Sequence, residues 1–353
     1  MDKVRIGVAG AGRLGGFHAS KAAQNPEVEF VGVVDVFEAS RKRVAEQWNV
    51  KDFATLEEIL PQVDAMIVAT PSTTHAEVGR QVLNAGKHLL IEKPATTDGR
   101  SALELARLAR AKGLVMQVGH VEQYNPAWQA ATKRLFEVRS GASPAFVEAE
   151  RTSGYTFRST DVGATLDLMI HDLELVLSLI PSEVTRVSAF GFAQFGGFED
   201  ASFATLEFAN GSIARLKASR IEQTPTRKMT IRTKSQALFV DFAARSAVCQ
   251  RPKRDILDGK YSPENVSFAE MSARVPSFMR EEYEIEELVH EPFDALALEN
   301  DDFVSAILRG TPSTAPGERA ARAVEIAEEI TSDIQARSQG AQTPSRRALR
   351  IAG

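Results

Sequence analysis

This sequence has a single cysteine, no excess of basic residues and no long apolar run. The only cysteine, Cys249, cannot form a disulfide within the chain, so nothing points to an oxidising compartment. The 42 lysines and arginines are outnumbered by 47 aspartates and glutamates. This balance argues against nucleic acid or a membrane surface as the main partner, because phosphate binding needs a basic excess. No apolar run approaches the ~18 residues of a membrane span, and Val4–Ala9 is too short for a signal peptide. We therefore expect a cytoplasmic protein.

The first 120 residues alternate between short apolar runs and amphipathic segments. The runs predict strands and the segments predict helices. Because the runs are apolar on both faces, they indicate a doubly wound parallel sheet that helices cover on both sides. The predicted strands are Val4–Ala9, Glu29–Val34, Ala65–Thr70, His88–Glu92 and Leu114–Val118. The predicted helices are Gly15–Gln24, Ala39–Gln47, Thr74–Ala85 and Arg100–Lys112.

After residue 120, alternating runs follow one another at short spacing. They predict a mostly antiparallel, open sheet with one covered face, and residues 250–290 are expected to hold little regular structure. The predicted strands are Ala145–Glu150, Arg186–Phe192, Ser202–Phe208, Ser212–Ser219, Arg227–Thr233 and Ala237–Phe242. The predicted helices are Pro126–Arg139, Ala164–Leu179, Asp294–Leu308 and Pro316–Arg337. The fold class is thus α/β with a second, α+β part. We expect domains at 1–120 and 121–353, with helix 316–337 able to pack back on the first.

A glycine motif, Gly10-Ala11-Gly12-Arg13-Leu14-Gly15, follows the first strand and opens a helix. Gly10 permits a tight turn, Gly12 lets the backbone approach a pyrophosphate, and Gly15 lets the helix pack closely. Asp35 ends the second strand, where a carboxylate accepts hydrogen bonds from ribose hydroxyls and repels a 2′-phosphate. The pattern predicts a dinucleotide site that prefers NAD to NADP, although Arg41 and Arg43 lie near enough in sequence to weaken that preference.

The loop Thr70-Pro71-Ser72-Thr73-Thr74-His75 follows the next buried strand. Ligands of such sheets bind beyond the carboxyl ends of the strands, so Thr70, Pro71 and His75 are expected to border the cofactor. Ser72 or Thr73 could equally be a helix cap.

Glu92-Lys93-Pro94 ends another buried strand. This position would bring Lys93 to the nicotinamide end of the cofactor, where partial burial suits an amine to proton transfer. A cis bond before Pro94 would direct Lys93 into the cleft. The alternative is a surface lysine before a turn.

Asp167 and His171 are four residues apart in a predicted helix and therefore share one of its faces. A carboxylate one turn from an imidazole can orient it as a base. The alternative is a solvated face. Two such ligands are too few for a metal site, and we predict none. The segment Gly119-His120-Val121-Glu122-Gln123-Tyr124-Asn125-Pro126 bridges the two halves, where polar groups could contact a sugar; Asn125 could instead cap the next helix.

In order and spacing, these motifs resemble those of the family of glucose–fructose oxidoreductase, inositol dehydrogenase and MocA (Gfo/Idh/MocA). The resemblance rests on the glycine motif, Thr70-Pro71…His75, Glu92-Lys93-Pro94 and Asp167-x-x-x-His171. It implies an NAD-binding Rossmann domain, with cofactor contacts from Gly10, Gly12, Arg13, Leu14, Gly15, Asp35, Thr70, Pro71, His75, Glu92, Lys93 and Pro94. It further implies a second domain whose open sheet serves substrate binding and oligomer contacts, and a catalytic trio of Lys93, Asp167 and His171.

The residue runs 118–126 and 166–172 look most like those of sugar-nucleotide dehydrogenases such as UDP-N-acetylglucosamine 3-dehydrogenases, although Gln123 stands where that pattern usually has arginine. We therefore expect oxidation of a secondary alcohol of a sugar or sugar nucleotide, with hydride transfer to NAD. His171 would be the base, oriented by Asp167, and Lys93 would stabilise the alkoxide; these two roles could be exchanged. Substrate contacts are expected from Lys93, Tyr124, Asn125, Arg158 and His171.

Three other functions stay open. The first is an inositol, other polyol or aldose dehydrogenase of the same family. The second is a non-catalytic, NAD(P)-sensing regulatory protein. The third is a reductase of an unsaturated or imine substrate, which would need no alcohol base. In each case the exposed sheet face predicts a homodimer or homotetramer.

Overall fold

The computed structural model describes residues 3–137, 144–157, 162–262, 264–289, 291 and 293–341. Residues 339–341 are described by their backbone alone. Two sheets organise this part of the chain. Six strands form the first sheet and eight form the second. Both sheets and their helices confirm the predicted α/β class.

The first sheet is wholly parallel, in the order β3-β2-β1-β4-β5-β6. The strands β2 and β3 are added on one side of β1, and β4, β5 and β6 on the other side. At such a switch in strand order, a crevice opens at the carboxyl ends of β1 and β4. The strands are β1 Val4–Ala9, β2 Val28–Val34, β3 Lys51–Phe53, β4 Ala65–Val68, β5 His88–Glu92 and β6 Met116–Gly119. The helices are α1 Arg13–Gln24, α2 Glu38–Trp48, α3 Leu56–Ile59, α4 His75–Asn84 and α5 Gly99–Ala111.

The second sheet has the order β14-β13-β12-β11-β7-β10-β9-β8. Only β7 and β10 run parallel, and every other pair is antiparallel. The strands are β7 Phe146–Thr152, β8 Val184–Phe192, β9 Ala201–Phe208, β10 Ile213–Ser219, β11 Thr226–Arg232, β12 Ala237–Asp241, β13 Ser246–Pro252 and β14 Tyr283–Glu287. The helices are α6 Pro126–Glu137, α7 Ile170–Leu179, α8 Arg254–Leu257, α9 Phe268–Arg274, α10 Phe278–Glu281, α11 Ala295–Arg309 and α12 Gly317–Ala341.

The expectation of little regular structure at 250–290 is wrong. This region holds the end of β13, three short helices and β14, which pairs with β13 at the edge of the sheet. β14 alternates Tyr283 and Ile285 with glutamates, but the run is only five residues long and four of these are exposed, so the signal is too short to distinguish it from its charged surroundings. The three-residue β3 escaped prediction for a similar reason, since only Phe53 is buried.

The last helix connects the two halves. α12 packs against α5 on one side and against α7 and β8 on the other. Its buried face is rich in alanine and isoleucine, and one continuous cluster of buried apolar side chains runs from the first sheet through α12 to the second. The helix expected at 316–337 thus packs against the first half of the chain, as the sequence analysis allowed. The domain boundary at residue 120 stays a prediction. Among the described residues, no helix combines the length and apolarity of a membrane span.

Candidate active site

The glycine loop between β1 and α1 is shaped to receive a pyrophosphate. Gly10 has a φ of 95°, and a Cβ atom on it would lie 2.5 Å from the oxygen of Ala69. A Cβ atom on Gly15 would lie 1.8 Å from the oxygen of Gly10, so α1 can approach β1 only without a side chain there. At Gly12 a Cβ atom would meet nothing within 4 Å. The loop is therefore open where a ligand would approach.

The first turn of α1 completes this cradle. Gly12 makes no side-chain cap, so the N–H groups that begin the helix and its positive dipole end are available to an anion. Arg13 and Leu14 stand exposed beside the loop, with the Arg13 guanidinium 5.7 Å from the centre of the Phe17 ring. These residues fit the two phosphates of a dinucleotide.

Asp35 lies at the end of β2, facing the glycine loop. Its Oδ2 atom accepts the Ala11 N–H at 2.6 Å, and its Oδ1 atom accepts the Phe37 N–H at 2.8 Å. The neighbouring cations are already bound to main-chain oxygens, because Arg41 donates to Asp35 O and Arg43 donates to Ala11 O. The Asp35 carboxylate lines the cleft beside the loop, where it can accept hydrogen bonds from ribose hydroxyls.

A cleft of about 830 Å³ joins Asp35 to the loop after β4. Thr70 and Pro71 line it, as the sequence predicts. His75 does not line it; the ring is buried, with Nδ1 2.8 Å from Pro94 O and Nε2 2.9 Å from Thr70 O. The structure corrects the expected cofactor contact of His75, because both ring nitrogens are engaged in joining two loops.

Lys93 lies between the two sheets. The Lys93–Pro94 bond is cis. The Nζ atom donates to the main-chain oxygen of Asp167 at 2.8 Å and to its Oδ1 atom at 3.1 Å. Both side chains are about one-fifth exposed. This ion pair joins residues 74 positions apart in sequence, and it brings together the cofactor half and the second half of the chain.

The expected pairing of Asp167 with His171 is replaced by the pairing with Lys93. The segment Thr165–Met169 is a π-helical turn that precedes α7, so the i, i+4 geometry of a regular helix does not hold there. Glu199 fixes the start of this turn by accepting the Thr165 N–H, and Gly163 provides the room, since a Cβ atom on it would lie 2.1 Å from Glu199 Oε1. Asp167 therefore orients the amine and not the imidazole.

His171 lies next to a second imidazole, that of His120, for which the sequence predicted no individual role. The rings of His171 and His120 meet edge to face with centroids 6.4 Å apart. Neither Nδ1 atom has a hydrogen-bond partner among the described residues. Burial, reinforced by nearby Lys93, holds the pKa of His171 well below its usual value. Burial likewise lowers the pKa of His120 to about 3. Both rings are neutral at physiological pH.

A buried arginine holds the start of α7. Arg151 donates to both oxygens of Asp172, at 3.1 and 2.9 Å, and to Glu122 at 2.7 Å. A bidentate pair of this kind fixes orientation as well as distance, and Asp172 directly follows His171. The sequence held a signal for it, because Val147, Ala149 and Arg151 alternate on the inward face of β7.

Two expected substrate contacts serve the interior instead. Tyr124 is 2% exposed and its hydroxyl donates to Asp302 at 2.8 Å. Asn125 donates to Glu122 and to Phe242 O, and accepts the Ala127 N–H at the start of α6. The capping role that was the alternative for Asn125 is the one observed. Arg158 lies outside the described residues.

Gln123 is also structural. Its amide donates to Glu174 at 2.7 Å and accepts the indole N–H of Trp128 at 3.0 Å. The other oxygen of Glu174 accepts from Arg319 of α12 at 2.6 Å. In this chain the positive charge next to Glu174 therefore comes from α12, and an uncharged residue suffices at position 123.

Comparison with known proteins identifies the family of this chain. Residues 4–120 match the model of the Gfo/Idh/MocA oxidoreductase family, NAD-binding Rossmann fold, and residues 134–237 match the C-terminal domain of that family. The chain belongs to the Gfo/Idh/MocA oxidoreductase family. This confirms the predicted family, its NAD-binding Rossmann domain and its enzymatic class.

The chain is 31% identical, over 95% of its own length and 99% of the relative, to UDP-N-acetylglucosamine 3-dehydrogenase from Acidithiobacillus ferrooxidans. The solved structure of that enzyme superposes with a TM-score of 0.81 over the same shares of the two chains. Scyllo-inositol 2-dehydrogenase (NAD(+)) from Bacillus subtilis is 28% identical over 62% of this chain and 68% of the relative. The GenD2 structure from gentamicin A biosynthesis, in complex with NAD, shares the fold at 22% identity and a TM-score of 0.72, covering 95% of each chain.

We expect Asp35→Asn to shift the cofactor preference. Loss of the carboxylate weakens its bonds to ribose hydroxyls and removes the repulsion of a 2′-phosphate, so the NAD-to-NADP affinity ratio should fall about tenfold, or about 1.4 kcal/mol. Titration calorimetry with both dinucleotides measures this ratio. Asp258→Asn, which removes an exposed charge after α8 in the second half of the chain, is the control and should leave the ratio unchanged. An unaltered ratio in Asp35→Asn would contradict the role of the carboxylate.

Proposed function

We propose that the protein is a cytoplasmic, NAD-dependent dehydrogenase that oxidises a secondary alcohol of a sugar nucleotide. UDP-N-acetylglucosamine, the substrate named for the relative that this chain matches from end to end, is the first candidate. The observation that carries the proposal is the ion pair of Lys93, which directly follows β5, with Asp167, which lies in the turn before the helix that carries His171. Removal of hydride from carbon becomes easier as the hydroxyl loses its proton, so the site needs a base and a cation at one oxygen.

His171 supplies the base. A neutral imidazole can accept the hydroxyl proton, and burial next to Lys93 keeps this ring neutral. Arg151, through Asp172, holds the helix from which the ring projects. The opposite assignment, with Lys93 as base, is disfavoured because its amine already donates two hydrogen bonds to Asp167.

Lys93 supplies the cation. Two of its three N–H groups point to Asp167, which leaves the third for the substrate oxygen. Stabilisation of a developing alkoxide by a fixed donor contributes several kcal/mol in a water-poor site. NAD, when bound in the cleft, supplies nicotinamide C4 as the hydride acceptor, and the chain's own groups hold and orient the alcohol.

We expect Lys93→Met to reduce kcat by about 10²- to 10³-fold while NAD still binds, because it removes the alkoxide donor and leaves the glycine loop intact. The assay follows NADH absorbance with UDP-N-acetylglucosamine, other UDP-sugars, myo-inositol and glucose. Lys133→Met, an exposed lysine on α6, is the matched control. Near-normal turnover in Lys93→Met would remove this lysine from the mechanism. Turnover of inositol or glucose without any UDP-sugar would overturn the sugar-nucleotide substrate and favour a polyol or aldose dehydrogenase of the same family.

The rate should also depend on pH in a specific way. Since the pKa of His171 is lowered, the base stays unprotonated as pH falls, and kcat/KM should hold from pH 8 to below about 6.5 before it declines. His171→Asn should lower kcat/KM by about 10²- to 10⁴-fold and abolish this acidic decline. An acidic limb centred above the usual histidine range would instead indicate Lys93 as the base, and full activity of His171→Asn would favour an imine or alkene reductase.

We further propose that the open face of the second sheet is covered by another copy of the chain. Phe190 on β8 and Phe203 on β9 are cross-strand partners and are 59% and 49% exposed. Arg337 lies over the first ring and Lys217 over the second. Large aromatic side chains on a sheet face that is otherwise charged are typical of an interface.

Light scattering after size exclusion should therefore give a dimer or tetramer. Each buried phenylalanine contributes about 1.5–3 kcal/mol, so the double variant Phe190→Ser, Phe203→Ser should dissociate at concentrations where the parent protein is assembled. Phe268→Ser, an exposed phenylalanine on α9 away from this sheet face, serves as control. A monomeric parent protein, or an assembly that the double variant does not weaken, would exclude this interface.

A further inference from the structure

A second group of ionisable side chains is buried next to the main chain of Lys93. It consists of His18 on α1, Glu92 at the end of β5 and Glu299 on α11, all of them buried. One polar atom of each lies within 4.8 Å of one atom of the others. None of the three takes part in the proposed proton transfer. Together they connect α1, the helix that follows the glycine loop, with β5, the strand that directly precedes Lys93.

The hydrogen on His18 can be assigned from its neighbours. Asn300 donates to the oxygen of Leu296 at 2.8 Å, which turns its NH₂ group toward His18 Nδ1 at 3.3 Å. Nδ1 is therefore the acceptor, and Nε2 carries the hydrogen that is donated to Glu92 Oε1 at 2.8 Å. The other oxygen, Glu92 Oε2, accepts the main-chain N–H of Lys93 at 3.1 Å. Glu92 thus behaves as an acceptor at both oxygens, as a carboxylate does.

Glu299 is the unusual member. It is 0% exposed, and neither of its side-chain oxygens has a hydrogen-bond partner among the described residues. An ionised carboxylate in that position would be desolvated and close to a second negative charge, and both effects are unfavourable. The charged and titratable groups around it are His18, Glu92, Asp302 and Tyr124, and none of them supplies a positive charge when His18 is neutral.

We propose that Glu299 is protonated in the folded protein, donates its hydrogen to Glu92, and thereby acts as a positioning residue for Lys93. The two carboxyl groups then share one negative charge. Glu92 keeps the Lys93 peptide in place through its N–H, and the direction of the Lys93 amine follows from that peptide. Gly119 permits this arrangement, since a Cβ atom on it would lie 2.8 Å from Glu92 Oε2.

A divalent cation is the competing occupant, because one imidazole and two carboxylates are suitable ligands. The assigned hydrogen on His18 Nε2 disfavours it, since that nitrogen has no lone pair left for a metal. The two possibilities differ in what a glutamine at position 299 does. An amide replaces a protonated carboxyl group well, whereas it is a poor substitute for an anionic ligand.

The test compares Glu299→Gln, Glu299→Leu and the exposed control Glu318→Gln with the parent protein in urea unfolding between pH 5 and pH 8. Burial and the charge of Glu92 raise the pKa of Glu299, so its stabilising contribution is present at low pH and is lost as pH rises. The unfolding midpoint of Glu299→Gln should therefore gain on that of the parent protein as pH rises, while Glu318→Gln follows the parent at every pH. A difference that does not grow with pH overturns the proposal. About one equivalent of a divalent metal in the purified parent protein, absent from Glu299→Gln, also overturns it.

The positioning role rests on the proposed function and has its own measurement. With UDP-N-acetylglucosamine, Glu299→Leu should lose about tenfold to a hundredfold in kcat with little change in KM, because the amine of Lys93 is displaced, and Glu299→Gln should restore most of that loss. Equal kcat values for the leucine variant and the parent protein would overturn the positioning role. If the parent protein turns over no UDP-sugar, the proposed substrate fails, while the unfolding comparison still decides the protonation of Glu299.

Discussion

The ion pair between Lys93 and Asp167 is the contact on which the active site depends. It is the point where the strand that ends at the cofactor cleft meets the helix that carries His171. An exposed ion pair contributes little to stability. This pair is only about one-fifth exposed, and its amine also donates to a main-chain oxygen. Its main effect is geometric, because it fixes a cation beside a neutral imidazole across two separately formed sheets.

Buried charges on both sides support that contact. On one side Arg151 clamps Asp172 and so holds the start of α7; on the other side Glu92 holds the Lys93 peptide. Removal of one partner from such a buried group leaves the other uncompensated, at a cost of about 3–5 kcal/mol, so these groups constrain the arrangement strongly even where they add little net stability. Burial, together with the positive charges of Lys93 and Arg151, keeps the pKa of His171 low. The groups that fix the geometry of the site therefore also help to keep this imidazole unprotonated.

The sequence predicted the layered fold, but it did not predict the pairing of Lys93 with Asp167. Buried parallel strands and the glycine motif are local signals, and so is the lysine that follows a strand. The partner of Asp167 depended on a π-helical turn that Gly163 and Glu199 allow, and Glu199 lies 34 residues beyond the turn's first residue. Tyr124 and Asn125 were assigned to the substrate because polarity alone does not reveal which polar groups find partners inside. The edge strand β14 escaped prediction because its alternation is limited to Tyr283 and Ile285 in a charged segment.

The charge balance of the site also bears on which state of the cofactor it accepts. The oxidised nicotinamide ring is cationic, and an isolated lysine beside it would oppose binding through a direct Coulomb term. Asp167 neutralises Lys93 at 3.1 Å, and the two nearby imidazoles, His120 and His171, are uncharged. The site therefore presents a hydrogen-bond donor to the substrate oxygen without presenting a net positive charge to the ring. In the proposed reaction, the proton that moves to His171 adds a positive charge as the nicotinamide ring loses its own. The local charge consequently stays nearly constant through the reaction, which limits the electrostatic reorganisation that the protein must undergo.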